Sequence, residues 1–310
     1  MQDQPVLIVA ATGKTSAEVV KKLQKRNVKV RALVRSATQA KEMFGESVEI
    51  FDGFDFDNPA TMTAAMSGID KLYLVSSPAV NAFEQTVSLV DAAKEAGVQH
   101  IVRLSVYRCD DTTKGFGATY VGKRHRAVED YIESSGLAFT HLRPTWFHQN
   151  YEIINGQEIR ENATLTLPLG NARFNSIDLQ SIAEVAAAVL SEPGHENKIY
   201  ELATEELTPG KIATLLSEAT GRAIQYIDQM PSVAIGAALS YEEAKKWYPQ
   251  VSNDPETLIQ IGAKHWQQAK LGNITGITDT VEKLTGQKGR TFEQYVQESR
   301  QNFLPVVVGR

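Results

Sequence analysis

The chain has a single cysteine, Cys109, among its 310 residues, which excludes an internal disulfide and fits a reducing compartment. It also lacks a basic block. Lys and Arg number 32 against 37 Asp and Glu, a net charge of −5, which argues against a nucleic-acid partner held on a cationic face. No apolar run is long enough for a membrane helix, and the opening MQDQP has no basic leader segment, so a cytoplasmic protein without a membrane partner is expected. The six histidines are scattered, with no His-Glu-x-x-His and no Gly-x-Ser-x-Gly elbow, leaving zinc hydrolysis and serine-nucleophile chemistry unsupported. The acidic stretch DGFDFDN lacks calcium-loop spacing, and no metal is expected.

What is present is an alternation. Short β-branched runs (PVLIVAA, VKVRALVR, VEIFDG, KLYLVSS, QHIVRLSV, AFTHLRP) are separated by amphipathic stretches such as KTSAEVVKKLQKRN, whose Val19, Val20 and Leu23 share one helical stripe. Strands alternating with helices predict βαβ units and a doubly wound parallel sheet, an α/β Rossmann layer. After Arg143 the pattern loosens. LTLPLG, SIAEVAAAVLSE and KIYELAT follow, and then four helical stretches: TPGKIATLLSEATG, SYEEAKKW, DPETLIQIGAKHW and TFEQYVQESRQNF. The expected division is a dinucleotide-binding domain over 1–155 and 176–205, with a smaller, mostly helical substrate lobe over 156–175 and 206–310.

The stretch VLIVAATGKTS offers two phosphate loops. A triphosphate P-loop ending at Gly13-Lys14-Thr15 would place its first glycine at Ile8, inside the strand, so that reading fails. A dinucleotide loop has its small positions at Ala10, Gly13 and Ser16, where glycines are expected, and Gly13 keeps the close approach to a pyrophosphate at a helix start. A site for NAD would carry an acid at the end of the second strand to accept from the ribose 2′-hydroxyl. Here Arg35 stands there, with no acid until Glu42, and Lys14 adds charge from the loop. Arg35 suits a 2′-phosphate, so NADP(H) is preferred over NAD(H).

With AATGKTS, ALVRS, LVSSP, QHIVRLSV, ESSGLAFTHLRPTWFHQN, DLQSIAEVAAAVL and GRTFEQYVQE in one order along nearly the whole chain, the sequence resembles the NmrA-like branch of the atypical short-chain dehydrogenase/reductase superfamily. The resemblance implies a Rossmann domain and a C-terminal lobe with NADP(H) in the cleft between them. It also implies contacts, position by position. Ala11, Thr12, Gly13, Lys14 and Thr15 would hold the pyrophosphate and Arg35 the 2′-phosphate. Asp55 and Phe56 would lie beside adenine, with Ser76, Ser77 and Pro78 along the ribose and diphosphate. Pro144, Thr145 and Phe147 would border the nicotinamide.

Typical short-chain dehydrogenases use Tyr-x-x-x-Lys on the helix after the fifth strand. This chain has Tyr120 with Lys123 at i+3 and Arg124 at i+4, a relation that holds only if the helix begins before Lys123. His125 falls where relatives often carry a Lys or His directed at the nicotinamide ribose. Tyr120, Lys123, His125 and Ser105 are therefore the candidate catalytic residues. Tyr107, Trp146, His148 and Tyr151 are candidate substrate contacts, Trp146 and Tyr151 forming with Phe147 a wall suited to a flat or apolar molecule. Two functions fit. One is an NADPH-dependent reductase of a carbonyl, quinone, enone or imine. The other is a non-catalytic NADP(H)-binding regulator that acts on a protein partner. Oligomeric state is open, although the apolar tail FLPVVV has the character of a docking segment.

Overall fold

Strand β1 (Val6–Val9) is buried along its whole length, and its alternation sends Val6 and Ile8 into one apolar cluster and Leu7 and Val9 into another. A strand with two buried faces belongs inside a parallel sheet covered by helices on both sides. The structure, a computed structural model, describes residues 4–58, 60–76, 82–229 and 264–305. In it, β1 lies between β2 (Val30–Leu33) and β4 (Lys71–Leu74), parallel to both. The sheet is completed by β3 (Glu49–Phe51), β5 (His100–Leu104), β6 (Ala138–Pro144) and β10 (Lys198–Leu202). Its seven strands are ordered β10-β6-β5-β4-β1-β2-β3, every pair parallel.

Helices α1 (Lys14–Lys25), α2 (Ala37–Phe44) and α7 (Leu179–Ser191) contribute to the cluster that holds Val6 and Ile8. Helices α3 (Ala60–Met66), α4 (Ala82–Glu95) and α5 (Tyr120–Ser134) contribute to the cluster on the other face. This is the doubly wound Rossmann layer that the alternation predicts. Among the described residues, no helix is long and apolar enough to cross a membrane.

A third cluster forms the core of the smaller part. It gathers α6 (Asn150–Asn162), β8 (Thr164–Thr166), α8 (Pro209–Thr220) and the helix Phe292–Glu298. The start of α8 is as its Thr-Pro pair predicts, with the Thr208 side chain accepting from Lys211 N. Helix α6 is not legible in sequence because its buried positions, Tyr151, Asn155, Gly156 and Ile159, mix polar and small residues with apolar ones. The short strands β7 (Trp146–Phe147), β9 (Phe174–Ile177), β11 (Glu205–Leu207) and β12 (Gln225–Ile227) are equally hidden, since two to four residues carry no readable period. The stretch SYEEAKKW, most of DPETLIQIGAKHW and the end of FLPVVV lie outside the described residues.

Two histidines of the central sheet are buried, His100 beside Thr140 (Nε2 to Oγ1, 2.8 Å) and His141. Burial, with the Lys71 charge next, pushes His100 down to about 4. Burial also holds His141 at about 3, the favourable field of Glu129 notwithstanding. Both fold neutral, while the unfolded chain takes up protons below about pH 6.5, so stability falls as pH drops from there towards 4. We expect a loss of up to about 1.4 kcal/mol per pH unit for each histidine. Urea midpoints between pH 7.5 and 4.5 check this, and His141→Gln should flatten the slope.

Candidate functional site

In open α/β sheets, ligands bind outside the carboxyl ends of the strands, where the strand order reverses. Here the reversal is at β1 and β4, and a cleft of about 600 Å³ opens there. Ala10 and the turn residues Gly13, Lys14, Thr15 and Ser16 form one side, with Val75 and Ser76 following β4. Ala82 and Phe83 come from α4, and Arg103 and Leu104 from the end of β5. The facing wall is α5, with Tyr120, Val121, Arg124, His125 and Val128, while Phe56 and Phe147 complete the lining.

The loop keeps its turn without its first glycine. Ala10 adopts a left-handed backbone (φ 49°), a conformation that costs a non-glycine residue about 1–2 kcal/mol, and its carbonyl accepts from Gly13 N at 2.8 Å. A Cβ on Gly13 would come within 3.1 Å of that carbonyl, so glycine is needed for close approach rather than for handedness. Buried Ser16 ties the start of α1 to the strand through Oγ, which donates to Val9 O at 3.0 Å. Among the described residues no side chain caps α1, and no acid stands in its first turn, although Ser36, Thr119, Asp178 and Thr208 cap other helices. An uncapped helix start beside Lys14, with a glycine where a side chain would crowd the turn, fits a dinucleotide pyrophosphate.

The α5 wall is set by Thr119, whose side chain accepts from Gly122 N, so that the helix begins at Tyr120. A Cβ on Gly122 would overlap the Phe116 carbonyl, which is how closely this first turn sits on the preceding loop. With the helix phased so, Tyr120 shares its face with Arg124, whose guanidinium lies 5.6 Å from the ring centre. Lys123 is exposed and does not line the cleft. His125 is half-buried, and its Nδ1 lies 3.2 Å from Arg103 Nη2. A guanidinium can only donate, so Nδ1 accepts and the neutral ring carries its proton on Nε2. Burial first, and the Arg103 charge second, hold His125 down to about 3. It is a neutral hydrogen-bonding group at physiological pH, not an imidazolium.

Behind this wall, one turn further along α5, Glu129 is fully buried. Arg143 grips it with two bonds (Nε to Oε1 3.0 Å, Nη2 to Oε2 2.6 Å), and Arg126 and the Cys109 thiol also donate to Oε2. Burial would raise Glu129, yet the bonded Arg143 and the neighbouring charges keep it at about 2. Arg143 Nη1 extends the network to Glu201 on β10 and to Asp110. Oxygens of Glu129 and Glu133 and a nitrogen of His141 lie within 4.8 Å of one another, but Arg143 and Arg126 occupy the two carboxylates.

The remaining sequence candidates divide clearly. Gly13, Lys14, Thr15, Phe56, Ser76, Tyr120, His125 and Phe147 are brought together in the cleft. Ala11 is buried beside the loop and Thr12 is half-buried, while Arg35 and Asp55 are exposed past the ends of β2 and β3. Ser77 and Pro78 lie outside the described residues. Ser105 turns inward to the Cys109 thiol, and Pro144 and Thr145 are buried, Thr145 Oγ1 donating to Asn175 O at 3.1 Å. Tyr107 is interior, its hydroxyl donating to Thr275 O. His148 is fully buried with Nε2 near Ser176 Oγ (3.1 Å) and Glu205 (3.0 Å), an internal tie of the smaller part. Trp146 and Tyr151 pack with His265, Trp266 and Phe292 in an aromatic cluster, so of the expected wall only Phe147 borders the cleft. Sequence reasoning missed Arg103 and Arg124. The available signal for Arg103 was a cation in the otherwise apolar centre of QHIVRLSV.

Removing one member of a buried, hydrogen-bonded pair strands the other. Among the described residues, Arg143→Met leaves Glu129 with Arg126 as its one cationic hydrogen-bond partner and should cost about 3–5 kcal/mol by urea unfolding. The double replacement Glu129→Leu with Arg143→Met should lose much less than that.

The NmrA-like family model matches residues 2–255. Over 298 residues the chain is 32% identical to an NAD(P)H azoreductase of Xenophilus azovorans, spanning 94% of this chain and 96% of the relative. The NADPH-dependent quinone oxidoreductase QOR2 of Escherichia coli, solved with NADPH, superposes at a TM-score of 0.77 and 26% identity, over 95% of this chain and 99% of that one. NmrA, a negative transcriptional regulator solved with NADP, shares the fold at a TM-score of 0.72 and 20% identity, over 96% of this chain and 95% of that one. Sequence and architecture agree from end to end: the chain belongs to the NmrA-like family.

Proposed function

We propose that the protein is an NADPH-dependent reductase that delivers two electrons to a small, flat or apolar acceptor, a quinone or azo compound being the best fit to its relatives. The observation that carries this is the continuity of one cleft, from the uncapped start of α1 with Lys14 to the Tyr120, Arg124 and His125 wall. The azoreductase and quinone oxidoreductase names of two relatives support the acceptor class.

When bound, NADPH supplies a hydride from its nicotinamide ring. The loop from Ala11 to Thr15 binds the pyrophosphate, and Arg35, exposed beyond β2 with no acid following in the sequence until Glu42, takes the 2′-phosphate. Asp55 and Phe56 lie on the adenine side, and Ser76 on the ribose path. Phe147 covers the reacting end and keeps water from it. The acceptor gains the hydride and one proton. Tyr120 gives that proton from its hydroxyl and regains it from solvent, while Arg124 holds the ring in position. His125 donates from Nε2 and positions the ribose or the acceptor.

Titration of nicotinamide fluorescence is the direct test of the cofactor. We expect micromolar NADPH affinity, NADH at least tenfold weaker, and Arg35→Ala narrowing that gap to under threefold. Failure of the protein to bind either would sink the reading. With 1,4-naphthoquinone as acceptor, Tyr120→Phe should lower kcat by about 100-fold, at the low end for general acids, with NADPH affinity within twofold. An unchanged kcat removes Tyr120 as the donor.

A second reading keeps a specific observation in its favour. Lys123 is exposed, so among the described residues the cleft holds no Tyr-x-x-x-Lys pair, and a dinucleotide-binding regulator needs none. Intact NADPH binding with no turnover of naphthoquinones or azo dyes would favour that role.

A further inference from the structure

Two arginines lie buried in the central sheet, each 1% exposed, and they are treated very differently. Arg143 is engaged by three carboxylates. Among the described residues Arg103 makes two hydrogen bonds, both from Nη2 at 3.2 Å, to Ser76 Oγ and His125 Nδ1. Its Nε and Nη1 find no partner among the described residues, and none of the ion pairs there includes it. Burial lowers it to about 10, with Glu129 opposing and Arg143 reinforcing the shift, so it stays charged at neutral pH. Glu129 cannot satisfy it, being already held by Arg143 and Arg126. A buried cation with idle donors is expensive unless something else fills them.

The cleft is where that something can come from. Alternation along β5 turns Arg103 to the face shared with Ile101, beneath α4 and α5, where it lines the cleft. Among the described lining residues, Lys14, Arg103 and Arg124 are basic and none is acidic, in a chain whose net charge is −5. The uncapped start of α1 adds a positive helix end to the same space. Low-dielectric walls with charges of one sign focus the field on a ligand of the other.

We propose that Arg103 is an anion-receiving residue of this cleft, its under-bonded guanidinium taking an oxyanion beside Ser76 and His125. The oxyanion is a phosphate of the bound dinucleotide or an acidic group on the reducible substrate. Only these ligand identities rest on the reductase reading; the anion site does not. By holding His125 Nδ1, Arg103 also fixes the tautomer that presents Nε2–H to the same ligand.

The test uses the full chain with Arg103→Met, and Arg103→Lys and Arg103→Gln beside it. Because Met removes an uncompensated buried charge, the ligand-free melting temperature should hold or rise. The thermal shift given to the wild type by inorganic pyrophosphate should fall by at least half in Met and Gln, with Lys retaining most of it. Dissociation constants for NADP+ and KM values for 1,4-naphthoquinone and its 2-sulfonate then identify the source. A tenfold loss of NADP+ affinity assigns a cofactor phosphate. A tenfold rise in KM for the sulfonate alone assigns the substrate. The proposal is overturned if pyrophosphate protection, NADP+ affinity and both KM values stay within twofold in Met and Gln. It is equally overturned if Met and Gln melt far below Lys while binding normally, the mark of a purely structural arginine. A wild type protected by pyrophosphate through Arg103, yet binding neither NADPH nor NADH, would defeat the reductase reading and leave the anion site standing.

Discussion

The bond between Glu129 and Arg143 sets the geometry on which the cleft depends. It joins the middle of α5 to β6 with two short hydrogen bonds, and Arg143 carries the connection on to β10 through Glu201 and to the loop after β5 through Asp110. Tyr120, Arg124 and His125 lie on the same helix, so the depth and rotation at which α5 docks decide what their side chains face. Hydrophobic contacts from Val128 and Ile132 bind the helix to the sheet, but apolar packing tolerates small sliding and rotation. A bidentate charge pair does not. Such a pair contributes little net stability, since desolvation offsets its attraction, but here it admits only one arrangement of helix and sheet.

The same network sorts the polar residues of the region by role. Ser105 and Cys109 gather around the Glu129 carboxylate, and burial raises the thiol to about 12, which leaves it protonated and inert. Arg103 stands at the edge of this group with its pairing incomplete, and it lines the cleft together with His125. The loop on the opposite side is held by bonds of its own. Ala10 accepts a strained backbone and Ser16 bonds back to the strand, so the turn survives two departures from glycine while the start of α1 stays uncapped.

The smaller part is held together internally by a different device. Buried His148 contacts Glu205 and Ser176, and the Phe292 backbone N–H donates to the same Glu205 side chain. Rings of Trp146, Tyr151, Phe292, Tyr295 and Trp266 pack around this point. In sequence, the run from Trp146 to Tyr151 looks like the border of a substrate pocket, because aromatic residues beside a histidine are what such a border requires. Folding spends most of them on the core of the smaller part, and of that run Phe147 lines the cleft.

The sequence by itself determined the layer architecture, the place of the glycine turn after β1 and the basic residue after β2. Each is local: a strand buried on both faces appears as the unbroken apolar run of PVLIVAA, a helix stripe as Val19, Val20 and Leu23, a close approach as Gly13. Family membership was legible for a related reason, since many short stretches recur in one order. Tertiary structure alone decided which polar side chains meet. With α5 capped at Thr119, Tyr120 lies inside the helix, and Arg124 at i+4 packs on its ring while Lys123 at i+3 is exposed. Arg103 and His125 are 22 positions apart, on a strand and a helix with no shared period, and only their packing reveals that one fixes the proton of the other. Periodicity records whether a side chain faces inward. Which partner it finds there is decided by the packing of elements far apart in the chain.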